Sequence, residues 1–204
     1  MTGSPDRRLP NARVRAVMLA IKEEMGNTGL NLVLRASRLE RFSGNLPPDD
    51  HQLVVLASEF SALRQAIENY FGRGSRGSLT RIGREAFQQT LKSRPVQARL
   101  NRFLLRFLPP DARNLRVLNQ LAAVLGEPGG NVTVHLDDRR FLLVDTTSDA
   151  TFGQTTETEV CWLTVGQIQE ALYWATGQEH DVTEVACKAK GSPACRFEIS
   201  EALE

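Results

Sequence analysis

Apolar residues recur at helical spacing over most of the first 125 positions of the chain. From Val14 to Met25 they lie three or four residues apart and stop at Gly26, which is typical of an amphipathic helix with a glycine end. The same spacing predicts a long helix over Leu53–Phe71. Further segments with helical or partly irregular spacing are residues 29–42, 79–91, 100–108 and 115–125.

The hydrophobic period changes after Pro128-Gly129-Gly130. Val132, Val134 and Leu136 alternate with polar residues, and a turn at Asp137-Asp138 leads to a second apolar run over residues 141–144. Alternation of this kind predicts a β-hairpin.

A helix is predicted over Cys161–Ala175 and ends at Gly177. A second hairpin is predicted, in which the strands Val182–Lys188 and Cys195–Ile199 are joined by a turn. Helices followed by hairpin, helix and hairpin indicate an α+β fold, with N-terminal helices and a four-stranded antiparallel sheet.

Composition places the chain among soluble globular proteins, since 41% of its 204 residues are hydrophobic and 24% are charged. We expect residues 11–200 to form one domain and the polar residues 1–10 to be a flexible tail. No apolar run reaches the roughly 18 residues of a membrane span, and the first ten residues lack the apolar core of a signal peptide. Three cysteines cannot all pair in one chain, which favours a reducing cytoplasm.

Charge is unevenly distributed although the net charge is +1. Residues 73–116 contain ten arginines and one lysine against two acidic residues, whereas residues 145–184 contain eight acidic residues and no lysine or arginine. The favoured interpretation is that the basic and acidic runs form two solvated helical faces. These faces could touch each other or a second subunit. The alternative is that the basic run meets an anionic partner. A near-neutral total argues against a nucleic-acid binder.

All three cysteines lie in the last quarter of the chain, at Cys161, Cys187 and Cys195, and Glu184 comes three residues before Cys187. Three thiolates and a carboxylate fill a tetrahedral Zn²⁺ shell. A shell closed by protein leaves no position for water, so such a zinc would be structural.

The predicted elements allow this site. Cys187 and Cys195 would face each other across the last turn, and Cys161 would begin the helix, where the dipole favours a thiolate. Strict alternation puts Glu184 and Cys187 on opposite faces of a strand, so the site requires a bulge or twist. A buried thiol pair, a redox disulfide, or His180 as the fourth ligand are the alternatives.

Three C-terminal segments carry a family resemblance. They are Cys161-Trp-Leu-Thr-Val-Gly166, Gln169-Glu-Ala-Leu-Tyr-Trp174 and Glu184-Val-Ala-Cys187-Lys-Ala-Lys-Gly191-Ser-Pro-Ala-Cys195-Arg-Phe197. With further similarity over residues 61–68 and 71–87, the chain resembles the 4-vinyl reductase domain family, in particular stand-alone members from photosynthetic bacteria and cyanobacteria. Photosynthetic relatives often carry an additional Cys-Pro-x-Cys-like stretch, which residues 146–158 lack.

The resemblance implies a homodimeric fold similar to vesicle-tethering (TRAPP) subunits, with a buried pocket for a hydrophobic molecule. It also implies zinc ligation by Cys161, Glu184, Cys187 and Cys195. The family name refers to bacteriochlorophyll biosynthesis, where members were proposed to reduce or deliver a vinyl tetrapyrrole.

A flat apolar ligand would be bound by aromatic side chains. The candidates, which include every Tyr and Trp of the chain, are Tyr70, Phe71, Trp162, Tyr173 and Trp174. Ordinary core packing is the alternative for each of them. Four arginines could pair with tetrapyrrole carboxylates or be solvated, namely Arg73, Arg76, Arg81 and Arg84.

Support for catalysis is poor. Gly72–Gly77 spells G-x-G-x-x-G, but the fingerprint of a dinucleotide site follows a strand, and here it follows a predicted helix. The residues 100–108, in which Phe and Leu alternate with Arg, could lie on a membrane surface, but the stretch is short and a pocket lid or dimer contact is favoured.

The leading hypothesis is a cytoplasmic, zinc-stabilised protein that binds a hydrophobic or tetrapyrrole ligand in pigment metabolism or photosynthetic complex assembly. The alternatives are a vinyl-tetrapyrrole reductase or its accessory subunit, and an interaction scaffold similar to tethering-complex subunits.

Overall fold

The computed structural model describes residues 6–126, 131–137 and 140–202. In this part of the chain the helices are α1 (Asn11–Ala36), α2 (Ala57–Phe71), α3 (Ser75–Ser93), α4 (Pro95–Leu105), α5 (Pro110–Leu125) and α6 (Trp162–Thr176). The strands are β1 (Arg8–Pro10), β2 (Leu53–Leu56), β3 (Val132–Asp137), β4 (Arg140–Asp145), β5 (His180–Ala186) and β6 (Cys195–Ala202).

The C-terminal half contains the four-stranded antiparallel sheet that the alternating pattern predicts. Its strand order is β3-β4-β6-β5. β4 and β6 are the central strands, paired with Phe141 opposite Ile199, so the two hairpins join through their inner strands. The helix α6 connects the hairpins. The predicted α+β class is confirmed.

Gly26 interrupts the first helix, as its position in the apolar pattern predicts. Its φ of 71° lies in the left-handed region, which glycine adopts without a steric penalty. The chain then resumes helical geometry, so that Asn11–Ala36 forms two helical pieces joined by a kink.

Two short strands in the N-terminal half contradict the sequence-based expectations. Leu53–Leu56, predicted as the first turn of a helix, is β2, and it pairs with β1. Leu9 and Val55 face each other in this ribbon and are both buried, and burial of the pair favours the strand. The helix α2 begins only after this strand, where Glu59 Oε2 accepts the Leu56 N–H at 2.9 Å.

Within the segment 1–10, expected to be a flexible tail, Arg8–Pro10 forms the strand β1. The preceding polar residues also have partners. The Asp6 carboxylate accepts hydrogen bonds from the backbone N–H and hydroxyl of Ser58, and Arg7 pairs with Asp149. Residues 1–5, the Pro128-Gly129-Gly130 sequence and Asp138 lie outside the described residues.

Two hydrophobic clusters, one for each half of the chain, meet where α3 crosses α6. Trp162 packs against both clusters. Glycines permit a very close approach of the two helices. A Cβ at Gly166 would lie 2.0 Å from the Thr80 carbonyl oxygen, and a Cβ at Gly83 would lie 2.1 Å from the Leu163 carbonyl oxygen. Only glycine fits at either position.

None of the helices in the described ranges combines the length and apolar character that a membrane crossing requires.

Candidate functional site

The four predicted metal ligands come together in the structure. All four are buried, and one ligand atom from each lies within 4.8 Å of every other. They come from the start of α6, the end of β5, the turn after it and the first residue of β6. This cluster of Cys161, Glu184, Cys187 and Cys195, hereafter the Cys₃Glu cluster, therefore links the helix to the second hairpin.

A β-bulge places Glu184 on the same side as Cys187. The pairing of β5 with β6 shifts register between Glu184 and Ala186. Val185 is exposed at this point, whereas Glu184 and Cys187 on either side of it are buried. The bulge that the sequence pattern required is present, because one extra residue reverses the alternation of faces.

The sulfur positions suit a metal and exclude a disulfide. Cys161 Sγ and Cys195 Sγ lie 3.6 Å apart, and all three cysteines are free. A disulfide would require about 2.05 Å. With Zn–S bonds of about 2.3 Å and tetrahedral angles, two thiolate sulfurs lie roughly 3.8 Å apart.

The remaining contacts of the cluster fix its orientation. The Cys161 backbone N–H, at the N-terminus of α6, donates to Glu184 Oε2 at 2.9 Å, and the Lys188 N–H donates to Cys195 Sγ at 3.4 Å. The second carboxylate oxygen, Oε1 of Glu184, is buried without a hydrogen-bond partner. An orphaned buried carboxylate oxygen beside three thiols fits a cation, since its desolvation is otherwise uncompensated.

The four groups also compete for protons. Hydrogen bonds from Cys161 and Cys195 hold the pKa of Cys187 far below its ordinary range, and the hydrogen bond with Cys187 raises the pKa of Cys161. Burial raises the pKa of Glu184 to about 7. One thiolate is thus stabilised by two thiols, and a divalent cation would displace the remaining protons.

His180 takes no part in the cluster. It begins β5, and its Nδ1 lies 3.0 Å from the Ser200 carbonyl oxygen. It is buried, and the alternative in which it is the fourth ligand is not the arrangement that the structure has.

A pocket of about 810 Å³ lies among α1, the β2 segment, the end of α3 and α5. Small residues contribute to the lining, with Ala12 and Ala16 on α1 and Ala122 and Ala123 on α5. Its charged lining consists of Arg13, Arg15, Arg94 and Asp49, and its uncharged polar lining includes His51 and Gln89. We refer to this space as the α1–α5 cavity.

Two of the cavity arginines have no carboxylate partner within the described residues. Arg15 donates to the Pro47 carbonyl oxygen at 2.8 Å, and Arg94 lies 2.6 Å from His51 Nε2. Arg13 differs, since its guanidinium pairs at 2.5 Å with Asp149, whose side chain is almost fully buried. Because Asp49 also lines the cavity, these two arginines leave a net positive charge there.

The five predicted aromatic ligand residues do not line this cavity. Tyr70 and Tyr173 are half exposed. Tyr70 and Phe71 form an edge-to-face pair, and Trp174 packs edge-on against Phe87. Ligand binding by Tyr70, Phe71, Trp162, Tyr173 and Trp174 stays a prediction, but the cavity lies elsewhere.

Three of the four arginines that were candidates for ligand carboxylates have partners within the chain. Arg81 pairs with Glu24, and Arg84 pairs with Glu170 and Glu179. Arg76 stacks over the Trp162 ring at 3.8 Å. The Gly72–Gly74 turn joins two helices, so the G-x-G-x-x-G sequence lacks the strand that a dinucleotide site requires.

The cavity residues Arg15, His51 and Arg94 were not among the site residues predicted from sequence. One usable signal was the alanine pair of α1, since Ala12 and Ala16 lie one turn apart and leave space rather than fill it.

The part of the chain that contains the Cys₃Glu cluster matches a known sequence family. Residues 149–201 match the family model of the 4-vinyl reductase domain. The resemblance to this family is thereby confirmed, and all four cluster residues fall within the matched segment. No curated protein matches the chain.

Solved structures share the fold over nearly the whole chain. An H-NOX protein from S. oneidensis in the Fe(II)NO state has a TM-score of 0.58 at 13% identity, and the match covers 96% of this chain and 100% of that one. A structure described as modulating haem redox potential through protein-induced porphyrin distortion has a TM-score of 0.61 at 12% identity, covering 94% and 93%.

The phenol-responsive sensory domain of the transcription activator PoxR, crystallised with phenol, is also similar. Its TM-score is 0.52 at 16% identity, and the match covers 74% of this chain and 77% of that one. Identities this low establish a common fold and nothing about ligands.

Proposed function

We propose that the protein binds a small, largely apolar molecule in the α1–α5 cavity, and that a structural zinc ion in the Cys₃Glu cluster stabilises the C-terminal half. The observation that carries the proposal is the cavity itself. Its volume of about 810 Å³ falls within the range of roughly 300–1,000 Å³ that is typical of small-molecule sites.

Zinc is the metal that the donor set favours. Three soft thiolates and one carboxylate suit tetrahedral Zn²⁺ better than a hard, oxygen-preferring ion such as Mg²⁺. All four donors are protein groups and are buried. The ion would have no open position for water, so its role is structural.

The cavity favours a ligand with an anionic group. Arg15 and Arg94 have no carboxylate partner among the described residues and could each form a charge-assisted hydrogen bond to a ligand carboxylate. A tetrapyrrole with propionate groups combines an apolar plane with such carboxylates. A structure with the same fold is described by its porphyrin distortion, and the proposal extends that ligand class to this chain.

A haem iron fits the described residues poorly. His51 is the one imidazole in the cavity lining, and its Nε2 is already occupied by Arg94. Among the described residues, the lining contains no cysteine, methionine or tyrosine, which are the other usual axial ligands. A ligand without iron, either a free tetrapyrrole or a smaller aromatic acid, agrees better with this lining.

A role in (bacterio)chlorophyll metabolism or photosynthetic complex assembly, a cytoplasmic location and a homodimeric state complete the proposal. The match to the 4-vinyl reductase domain over residues 149–201 supports this part. The resemblance to stand-alone family members from photosynthetic organisms points in the same direction.

Retention of ligand by the purified protein tests the proposal. The probes are a porphyrin dicarboxylic acid and its dimethyl ester, measured by absorbance after gel filtration. Ala12→Phe places a phenyl ring inside the cavity and should weaken retention of both probes. Ala62→Phe, on α2 outside the lining, is the matched control and should retain both.

The arginines are tested separately. Arg15→Gln combined with Arg94→Gln should weaken binding of the acid by about a hundredfold or more, because each of the two lost charged hydrogen bonds contributes roughly 1.5–3 kcal/mol. Binding of the ester should change little. Equal retention by wild type and Ala12→Phe would refute the cavity as the ligand site.

The alternative hypotheses give different results in the same assay. Retention with an unchanged spectrum indicates a binding protein, a shifted or bleached band after addition of reductant indicates a reductase, and no retention of any probe favours the interaction scaffold.

A further inference from the structure

The helix α4 presents its apolar side to solvent. Five large apolar side chains of this helix and the turn after it are exposed, in a set that we call the α4 apolar face. Their exposed fractions are 78% for Val96, 57% for Leu100, 55% for Phe103, 48% for Leu104 and 72% for Phe107.

These side chains form one stripe. They follow one another at intervals of four, three, one and three residues, which places them on a single side of a helix. Leu105 points the other way and is the one buried residue of α4. Phe103 and Phe107 pack edge-to-face, with ring centroids 5.3 Å apart. The apolar side of α4 therefore faces away from the protein core.

The charged residues beside this stripe are all arginines. Arg94, Arg99, Arg102 and Arg106 are exposed, and residues 93–110 contain no Asp or Glu. None of the four forms an ion pair with a carboxylate in the described part of the chain. The earlier half of the basic run differs, since Arg81 and Arg84 have acidic partners.

We infer that the α4 apolar face docks on the surface of an anionic lipid bilayer. A helix with exposed Phe and Leu on one side and arginine beside them is typical of segments that lie in the membrane interface. Anionic lipids supply both requirements, because acyl chains accept the apolar side chains and headgroups neutralise the arginines.

A second copy of the chain fits the face less well. A twofold contact through α4 would place the same surface on both sides, so that arginines of one copy would approach arginines of the other without any acidic residue of α4 between them. The eleven residues of α4 span about 16 Å, so the helix would lie along the bilayer surface rather than cross it.

The face adjoins the α1–α5 cavity. Ser93 and Arg94 line the cavity, and Pro95 is the first residue of α4. Docking would thus bring the end of the cavity at α3 close to the lipid. The docking inference stands on the exposure and charge of α4 alone and does not depend on the ligand.

Flotation of the full chain with vesicles tests the inference, using phosphatidylcholine with and without phosphatidylglycerol. We expect binding to the anionic vesicles only, weakened by added salt because the headgroup attraction is screened. The double variant Phe103→Ser, Phe107→Ser should bind at least about tenfold more weakly, since two large apolar side chains no longer enter the bilayer. Arg99→Gln combined with Arg106→Gln should also bind more weakly.

Leu32→Ser is the matched control, because Leu32 is an exposed leucine on α1, and its binding should equal wild type. Circular dichroism would establish that each variant is folded. The inference is overturned if wild type floats with neither vesicle, or if the α4 variants bind as wild type does. It is also overturned if light scattering shows an oligomer that the α4 variants dissociate, since a second copy then covers the face.

Discussion

Replacement of Gly166 by Ala should destabilise the protein strongly, although alanine is the better helix former. The new Cβ would lie 2.0 Å from the Thr80 carbonyl oxygen and 3.0 Å from the Arg84 nitrogen, whereas ordinary contact begins at 3.4 Å. Both obstacles are backbone atoms of α3, so neither can rotate away. The two helices must separate by roughly 1.4 Å along the direct line, which disturbs the packing between α3 and α6 and at the nearby Gly83.

The magnitude follows from two opposing effects. Overpacking costs about 3 kcal/mol, at the upper end of the usual range because backbone must move. The gain in helix propensity from glycine to alanine offsets about 1 kcal/mol of this. A net loss of about 2 kcal/mol corresponds to a fall in Tm of roughly 4–8 °C for a chain of this size.

Thermal and urea unfolding followed by circular dichroism would measure the change. Gly77→Ala is the matched control on α3, because its Cβ would meet only the end of the Arg81 side chain, at 3.5 Å. That variant should gain about 0.5–1 kcal/mol. If Gly166→Ala proved as stable as Gly77→Ala, the close crossing of α3 and α6 described above would be incorrect.

Three further predictions concern the metal and the buried charges. Cys187→Ser should lose bound zinc in elemental analysis and lower the Tm, and a strong chelator should reproduce the loss in wild type but not in the variant. Asp149→Ala should cost about 3 kcal/mol in urea unfolding, because it leaves Arg7 and Arg13 without their buried partner; a loss below about 1 kcal/mol would contradict this. With the pKa of Glu184 raised to about 7 from its ordinary 4.5, the metal-stripped wild type should lose stability relative to metal-stripped Glu184→Gln as the pH rises from 4.5 through 7, a comparison that removes the opposite effect of the lowered pKa of Cys187. Zinc-loaded protein should show the opposite trend, since protons compete with the metal for its ligands, and equal slopes in the two unfolding series would refute the assignment.

The Cys₃Glu cluster could be predicted from sequence because its information is local and chemical. Three thiols and a carboxylate allow few metals, and the spacing of Glu184 and Cys187 on one strand already required the bulge that the structure contains. The alternating runs likewise specified the hairpins, since a sheet with one buried face imposes the period of two on its sequence.

Long-range pairing could not be predicted in the same way. Leu53–Leu56 continues the helical spacing of α2, and its strand conformation depends on Leu9, more than forty residues earlier. The cavity arises where helices distant in sequence diverge, so a search for aromatic residues such as Tyr70 and Trp174 missed it. An apolar stripe in a sequence also does not show whether that side of the helix packs against the core. The stripe of α4 is exposed to solvent instead.

The short segment Ser148–Asp149 joins the Cys₃Glu cluster to the α1–α5 cavity. Ser148 Oγ lies 3.7 Å from Cys161 Sγ, and the next residue, Asp149, binds Arg13 of the cavity wall. If loss of a bound metal ion moved this segment, the cavity wall at Arg13 would move with it. The binding free energies of the metal and of a cavity ligand would then be linked in both directions. Occupancy of one site would then change the affinity of the other. A ligand dissociation constant measured on protein treated with a chelator would therefore differ from that of the metal-bound protein.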